Sequence, residues 1–234
     1  YPPANGLLSL RKAVSQDLEN SWNLEYSADE ILVAGGSRPL IYATFKTIVD
    51  EGDKVVYPIP SWNNNHYAYL THAEKIEVET SQSNNFLPTA EELKPHLEGA
   101  VLLALCSPLN PTGTMFTKDQ LTEICELVLE ENKKRGENDK PLYLMYDQIY
   151  AMLTFDEEHF NPVSLFPEMK KYTVFIDGTS KCFAATGVRV GWSFGPTEII
   201  DKMKALLGHI GAWAPKPEQQ AVSVFLGETE NVDF

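Results

Sequence analysis

The chain has 234 residues, of which 43% are hydrophobic and 22% are charged, and its formal net charge at pH 7 is −14. These values are ordinary for a soluble globular protein with one large domain, or one domain with an appendage. The negative charge argues against a nucleic-acid partner, because binding to phosphate backbones needs a basic surface. No apolar run approaches the roughly 18 residues of a membrane span, so we expect no membrane partner.

Three scattered cysteines, at positions 106, 125 and 182, favour a reducing compartment such as the cytoplasm over a disulfide framework. No clustered set of histidines and cysteines indicates a metal site. The first residue is Tyr1 rather than methionine, so we expect the chain to begin inside a longer natural sequence.

Short apolar runs with strand propensity alternate with amphipathic helical patterns along the chain, which is typical of a mostly parallel α/β sheet. We predict helices over 7–20, 39–50, 61–72, 89–98, 117–134 and 197–207, then a proline-broken turn and a short helix within 212–234. We predict strands over 31–34, 54–57, 75–80, 101–106, 142–146, 173–176 and 190–194. Residues 27–30 have the form of a capping box. The expected fold is a three-layer α/β/α domain around a mostly parallel sheet of about seven strands.

Polar or turn residues follow five of the predicted strands directly. In chain order they are Gly36-Ser37, Trp62, Asn110, Asp147 and Lys181. Ligands of parallel α/β proteins bind outside the carboxyl ends of the strands, so these residues are expected to form one composite site.

The segment 179–192 carries the strongest chemical signal of the chain, because it places Lys181 eight residues before Arg189 among mostly apolar or small residues. A lysine amine is a nucleophile towards an aldehyde, and the arginine fork suits a phosphate. A cofactor with both groups, pyridoxal phosphate, fits this pair. Taken alone, the pair could equally be a surface lysine and arginine beside a turn.

This segment closely resembles the Ser-Lys-(seven residues)-Arg-x-Gly signature of class I/II aminotransferases, a family of fold type I pyridoxal-phosphate enzymes. The resemblance implies that Lys181 holds pyridoxal 5'-phosphate as a Schiff base and transfers the substrate's Cα proton. It also implies that Ser180 and Arg189 bind the phosphate. The fold it implies is the large domain of such an enzyme.

Asp147 ends an otherwise apolar strand, where a carboxylate needs a positive partner unless it caps the next segment. Asp147-Gln148-Ile149-Tyr150 resembles the family's Asp-Glu-x-Tyr, with Gln148 in place of the usual acid. The resemblance implies that Asp147 pairs with the pyridinium nitrogen of the cofactor and that the Tyr150 hydroxyl reaches the ring oxygen.

Three further motifs, each located after a predicted strand, match motifs of the family. Each could also have a purely structural role. Asn110-Pro-Thr-Gly is a plain turn by itself, but it matches a family loop whose asparagine amide donates to the ring oxygen. Gly35-Gly36-Ser37-Arg38 can expose a helix N-terminus to an anion, and the resemblance implies Gly36, Ser37 and Arg38 as phosphate contacts. Trp62, otherwise a half-buried tryptophan, matches the aromatic side chain that stacks on the ring.

Tyr1 begins a segment, Tyr1 to Gly6 with a following Leu10-Arg11, that resembles the family's Tyr-x-x-x-x-Gly…Leu-Arg. There the tyrosine crosses a homodimer interface to the phosphate of the partner's cofactor. The alternative is a frayed terminal residue.

The chain also departs from the family pattern. Gly178 stands where the family often has a serine, and residues 209–214 contain no arginine of the kind that some dicarboxylate-specific members present. We expect the family's N-terminal segment and its small C-terminal domain, with the substrate-carboxylate arginine, to lie outside 1–234.

The sequence therefore predicts the cofactor-binding large domain of a cytoplasmic, homodimeric aminotransferase that acts on an amino acid and a 2-oxo acid. Two alternatives stay open: a β-lyase or related enzyme on the same fold, and the aminotransferase-like sensor domain of a transcription regulator.

Overall fold

The apolar runs of the sequence form one seven-stranded sheet in the computed structural model, which describes residues 1–228. Along the sheet the order is β1-β7-β6-β5-β4-β2-β3, and β7 alone among these strands runs antiparallel to its neighbours. The strands are β1 Ile31–Ala34, β2 Lys54–Ile59, β3 Glu74–Glu79, β4 Ala100–Cys106, β5 Tyr143–Asp147, β6 Thr173–Gly178 and β7 Gly191–Phe194. The predicted mostly parallel sheet of about seven strands is thereby confirmed.

Helices lie before, between and after these strands. They are α1 Leu8–Trp22, α2 Ser37–Ile48, α3 Asn64–Thr71, α4 Ala90–Leu93, α5 Lys118–Lys134, α6 Pro162–Leu165, α7 Thr179–Cys182, α8 Thr197–Ile210 and α9 Lys216–Gly227. Across residues 1–228, no helix combines the length and the apolar composition needed to cross a membrane. The predicted tail helix is α9, and residues 229–234 of the predicted tail lie outside the described part of the chain.

Two predicted helices are shorter than their patterns suggested. The helix expected over 89–98 is α4 followed by a 3₁₀ turn, Lys94–His96, because Pro95 cannot donate the next helical hydrogen bond. The helix expected from residue 61 begins at Asn64, after Asn63 in a left-handed conformation with φ 67°. Trp62 therefore lies in the turn before α3.

Other differences are local. The capping box at Ser27 is formed, but it opens a 3₁₀ turn, Ala28–Glu30, that leads directly into β1. The connection between β5 and β6 contains α6 and a 3₁₀ helix, Pro167–Lys171.

The core has two halves, one on each face of the sheet, because alternate strand residues point in opposite directions. On one face, Leu103, Tyr146 and Phe175 share a buried cluster with side chains of α1, α5 and α9. On the other face, Leu102, Met145 and Ile176 share a buried cluster with side chains of α2 and α8.

The topology collects the ends of the parallel strands at one edge. β1, β2, β4, β5 and β6 run in the same direction, so their carboxyl ends lie together. β7 runs the opposite way, and its first residue, Gly191, therefore lies at this same edge beside Gly178. All segments predicted to contribute to the composite site leave the sheet at this edge.

His159 makes the stability of the fold sensitive to acid. Its ring is 6% exposed beside Trp22 and Tyr146, neither ring nitrogen has a hydrogen-bond partner within residues 1–228, and burial lowers the pKa of His159 to about 4. The unfolded chain binds this proton near pH 6.5, so folding stability is full above that pH. It falls by up to about 3 kcal/mol as pH drops towards 4. His159→Phe should remove this loss, which urea unfolding at pH 7.5 and pH 4.5 would reveal. An equal acid sensitivity in both proteins would contradict the assignment.

Candidate active site

A cavity of about 440 Å³ opens at the carboxyl edge of the sheet. Its walls include nine of the eleven residues that the sequence indicated, namely Ser37, Arg38, Trp62, Asn110, Asp147, Tyr150, Ser180, Lys181 and Arg189. They come from five separate segments of the chain, which supports one composite site rather than unrelated turns.

The N-terminus of α2 and Arg189 form one end of this site. No side chain caps α2, so its first N–H groups are free to meet an anion. The Arg189 guanidinium is held over the turn by Thr186 and Gly35, whose carbonyl oxygens accept at 2.7 and 3.0 Å. Arg189 itself is left-handed, with φ 56°. This geometry places a fixed positive group beside an uncapped helix, which is a suitable cradle for phosphate.

Glycines allow this close approach. A Cβ added at Gly36, where φ is +100°, would lie 2.2 Å from Nη2 of Arg189. A Cβ at Gly191 would lie 2.8 Å from the backbone nitrogen of Ser37, and one at Gly178 would lie 2.7 Å from the Cα of Gly191. Gly36 does not line the cavity itself, but its lack of a side chain allows Arg189 to lie against the turn.

Gly36→Ala should weaken phosphate binding about tenfold or more, because the methyl group displaces Arg189 and the backbone at φ +100° resists a side chain. Titration of pyridoxal phosphate, followed by tryptophan fluorescence, would measure the change. Gly187→Ala is the matched control, since a Cβ there meets nothing within 4 Å. Equal affinity of the two variants would exclude the cradle.

Asp147 supplies the negative group of the site. Its Oδ1 accepts from the Ile149 N–H at 3.1 Å, and within residues 1–228 its carboxylate forms no ion pair. Burial raises the pKa of Asp147 to about 6, while the Ile149 N–H and the charge of Lys181 act in the opposite direction. A cationic ring nitrogen would satisfy this carboxylate better than the neutral donor that it has.

Asn110 and Tyr150 are linked although they lie on different loops. The Asn110 amide donates from Nδ2 to the Tyr150 hydroxyl at 3.1 Å. Burial is the main cause that raises the pKa of Tyr150, so the phenol stays protonated at neutral pH. An amide N–H and a phenolic O–H at one point can both donate to a negatively charged oxygen.

Lys181 lies in α7, the short helix that follows β6 directly. The preceding Ser180 is buried, whereas Lys181 is exposed towards the cavity, a more open setting than its apolar sequence neighbours suggested. The Lys181 Nζ lies 5.7 Å from the ring centroid of Tyr150. The amine is thus accessible to a small carbonyl compound in the cavity.

Trp62 and Arg38 stack at the side of the cavity, with the Arg38 Cζ 4.6 Å from the centroid of the Trp62 ring. The indole is 41% exposed, so its flat face is available for stacking.

Tyr1 lies apart from this cavity. It is fully exposed, and its ring centroid is 4.9 Å from that of Trp213.

The structure adds cavity residues that the sequence did not single out, among them Cys106, Asn64 and Thr186. Cys106 ends β4, so the rule applied to the other strand ends could have found it. Its Sγ donates to the Pro108 carbonyl at 3.2 Å, and burial is the main cause that raises the pKa of its thiol. In the part of the chain that the structure describes, no group of histidines, cysteines and acids could hold a metal ion.

The donor set fits pyridoxal phosphate. The uncapped helix and Arg189 suit the phosphate, the Asp147 carboxylate suits a ring cation, and the Asn110–Tyr150 pair suits a ring oxygen. Lys181 supplies the amine for the aldehyde, and Trp62 supplies a flat face for the ring.

Comparisons with known proteins agree with this geometry. Residues 1–233 match the family described as aminotransferase class I and II. The aspartate aminotransferase of Bacillus sp. (strain YM-2) is 30% identical over 237 residues, which cover 100% of this chain and 58% of that protein. Among solved structures, the Thermus thermophilus aspartate aminotransferase with maleate superposes with a TM-score of 0.91 at 27% identity, over 99% of this chain and 58% of that one.

A third relative is named for a different class of substrate. The aromatic aminotransferase of Pyrococcus horikoshii OT3 has a TM-score of 0.90 at 28% identity, over 99% of this chain and 60% of that one. The chain thus spans less than two thirds of the length of these proteins. Together with the site geometry, these matches show that the chain belongs to the class I and II aminotransferase family.

Proposed function

We propose that the chain is the cofactor-binding large domain of a pyridoxal-phosphate-dependent aminotransferase, which moves an amino group between an amino acid and a 2-oxo acid. The observation that carries the proposal is the convergence of Lys181, Asp147, Arg189 and the Asn110–Tyr150 pair on one cavity. The names of the family and of the relatives support it.

Each residue has a role that follows from its position. Bound in the cavity, pyridoxal phosphate supplies an aldehyde that condenses with amines and a ring that withdraws electrons from Cα. Arg189 and the N-terminus of α2 would hold the phosphate, and Trp62 would offer its flat face to the ring. The Lys181 Nζ, once free, accepts the proton from the substrate Cα.

Asp147 and the Asn110–Tyr150 pair adjust the charge on the ring. The Asp147 carboxylate holds a proton on the ring nitrogen, which keeps the ring electron-poor. The Asn110 amide and the Tyr150 hydroxyl stabilise negative charge on the ring oxygen.

The candidate amino donors are aspartate and the aromatic amino acids. Residues 209–214 contain no arginine for a second substrate carboxylate, and the relatives are named for aspartate and for aromatic substrates. An assay with aspartate, tyrosine and phenylalanine as amino donors would compare these classes.

The reaction type has a direct test in the intact protein. We expect the amino group to pass to 2-oxoglutarate, with loss of donor and gain of glutamate in equal amounts. A β-lyase would instead release pyruvate and ammonia from a β-substituted donor such as cysteine without any oxo acid. Ammonia release independent of oxo acid, with no glutamate formed, would overturn the proposal.

We also propose a homodimer in which Tyr1 reaches the partner's site. Apolar side chains are exposed on neighbouring elements, with Tyr1 fully exposed, Leu8 at 50%, Ile210 at 55% and Val224 at 52%. Such a surface favours association. Sedimentation of the intact protein should give twice the monomer mass, and Ile210→Glu should shift it towards monomer. A fully active monomer would contradict this proposal.

The three free cysteines support the cytoplasm as the compartment.

A further inference from the structure

A carboxyl–amide pair, the half-buried Asp177 and the buried Gln148, lies behind the active site. Gln148 follows Asp147 at the end of β5, and Asp177 is the residue before Gly178 at the end of β6. Side chains alternate between the two faces of a sheet. Asp147 therefore faces the α2 and α8 layer with the cavity, while Gln148 and Asp177 face the layer of α1, α5 and α9.

Asp177 links the two strand ends through both of its carboxyl oxygens. Gln148, which is 1% exposed, donates from Nε2 to Oδ2 of Asp177 at 3.1 Å. The Gly178 N–H donates to Oδ1 of Asp177 at 2.7 Å. Gly178 is the residue directly before α7, and Lys181 is the third residue of that helix. One carboxylate thus connects the strand that carries Asp147 to the turn that carries Lys181.

Neither bond involves a cation. Within residues 1–228, no lysine, arginine or histidine forms an ion pair with Asp177. A desolvated carboxyl group with neutral donors alone costs free energy, and such groups are frequent at functional sites.

The sequence itself marks this position. In the family pattern an acid stands at the position of Gln148, directly after the aspartate. In this chain that position carries the amide, and the acid faces it from the neighbouring strand.

We propose that Asp177 is a positioning residue, whose carboxylate fixes the end of β5 against the start of α7 and so sets the separation of Asp147 and Lys181. The proposal rests on the function assigned above to Asp147 and Lys181. Asp177 does not line the cavity, so it acts through these two residues.

The surroundings of Asp177 allow its hydrogen bond with Gln148 to persist whether the Asp177 carboxyl group is ionised or protonated. Burial raises the pKa of Asp177 to about 7, with Asp147 on β5 and Asp17 on α1 adding to the increase. Cys182 on α7 also faces it, and burial raises the pKa of that thiol. Oε1 of Gln148 is buried without a partner in the described chain. The Gln148 amide donates through Nε2 to the ionised carboxylate. If the amide turns over, its Oε1 can accept a hydrogen bond from the protonated carboxyl group.

An exchange of amide and acid tests this link. Gln148→Glu places two carboxyl groups against each other, so we expect pyridoxal phosphate to bind the intact protein about tenfold more weakly. Adding Asp177→Asn should restore the affinity, because the new amide can donate to Glu at position 148 while its oxygen still accepts from Gly178. Asp177→Ala, which removes both bonds, should weaken binding about tenfold without such a rescue. Absorbance titration at pH 7.5 would give the dissociation constants of the wild type, Gln148→Glu, Asp177→Asn, the double variant and Asp177→Ala.

Two controls separate positioning from general stability. Gln82→Glu introduces the same charge at an exposed amide and should leave the affinity unchanged. Leu121→Ala opens a cavity beside α5 at a buried residue that does not line the site, so it should lower the melting temperature but not the affinity. Additive effects of Gln148→Glu and Asp177→Asn, or normal binding by Asp177→Ala, would overturn the proposal.

The pH dependence of the melting temperature, measured without cofactor, provides a second test that is independent of the proposed function. The raised pKa of Asp177 gives stability that is complete below about pH 3.8 and is lost as pH rises through 7. Asp177→Asn removes this loss. The melting temperature of the variant, relative to that of the wild type, should therefore increase between pH 4.5 and pH 8. Failure of the wild type to bind pyridoxal phosphate would refute the proposed function alone. An unchanged melting-temperature difference across this range would show that the Asp177 carboxyl group is not held in the desolvated position that its role requires.

Discussion

Replacing Lys181 with alanine is expected to abolish amino transfer, with a decrease in turnover of about 10³-fold or more. The amine is the nucleophile exposed at the cavity, and alanine can neither attach a carbonyl compound nor accept the proton from Cα. The measurement is the rate of glutamate formation from a donor amino acid and 2-oxoglutarate in the intact protein.

Lys204→Ala is the matched control for this variant. Lys204 pairs with Asp201 on the outer face of α8, at 2.6 Å, and has no part in the site. Its removal should leave turnover within about twofold of the wild type. Substantial turnover by Lys181→Ala, with Lys204→Ala equally active, would show that another group performs the chemistry.

Replacing Asp147 with asparagine is expected to lower turnover by about 10²-fold, since a neutral amide cannot hold a proton on the ring nitrogen. The site should still bind the phosphate through α2 and Arg189, so the loss should appear more in kcat than in cofactor affinity. Asp201→Asn removes an exposed carboxylate of α8 and serves as the control.

The raised pKa of Asp147 adds a pH dependence to this prediction. The carboxyl group is ionised above about pH 6 in the free site, so its attraction for a cationic ring is present there. That attraction declines as pH falls below 6 and the carboxyl group becomes neutral. The wild type should therefore lose cofactor affinity between pH 7 and 5 more steeply than Asp147→Asn does. Parallel pH profiles would contradict the role of this carboxylate.

The sheet and most of the site could be predicted from the sequence because the relevant signals are local. Apolar runs such as 101–106 define the buried strands, and each strand end carries a polar or turn residue. The rule that ligands bind outside the carboxyl ends of parallel strands then places Asn110, Asp147 and Lys181 together. The antiparallel direction of β7 does not change this placement, because Arg189 precedes that strand and so lies at the same edge.

Features that depend on long-range packing could not be predicted in this way. The bond between Gln148 and Asp177 joins residues 29 positions apart, and nothing in either segment identifies the partner. The approach of Gly36, Gly178 and Gly191 is likewise visible only once three backbones meet. Periodicity also overestimated the helix over 89–98, where the apolar spacing continued past Pro95 although the backbone could not.

The most direct test of the account is the identity of the residue that holds the cofactor. The intact protein would be incubated with pyridoxal phosphate, reduced with borohydride, digested and mapped by peptide mass. The account predicts one phosphopyridoxyl group per chain, on the peptide that contains Lys181, and none in Lys181→Ala. Labelling spread over surface lysines, or retained in Lys181→Ala, would contradict the central claim that this cavity is a pyridoxal phosphate site.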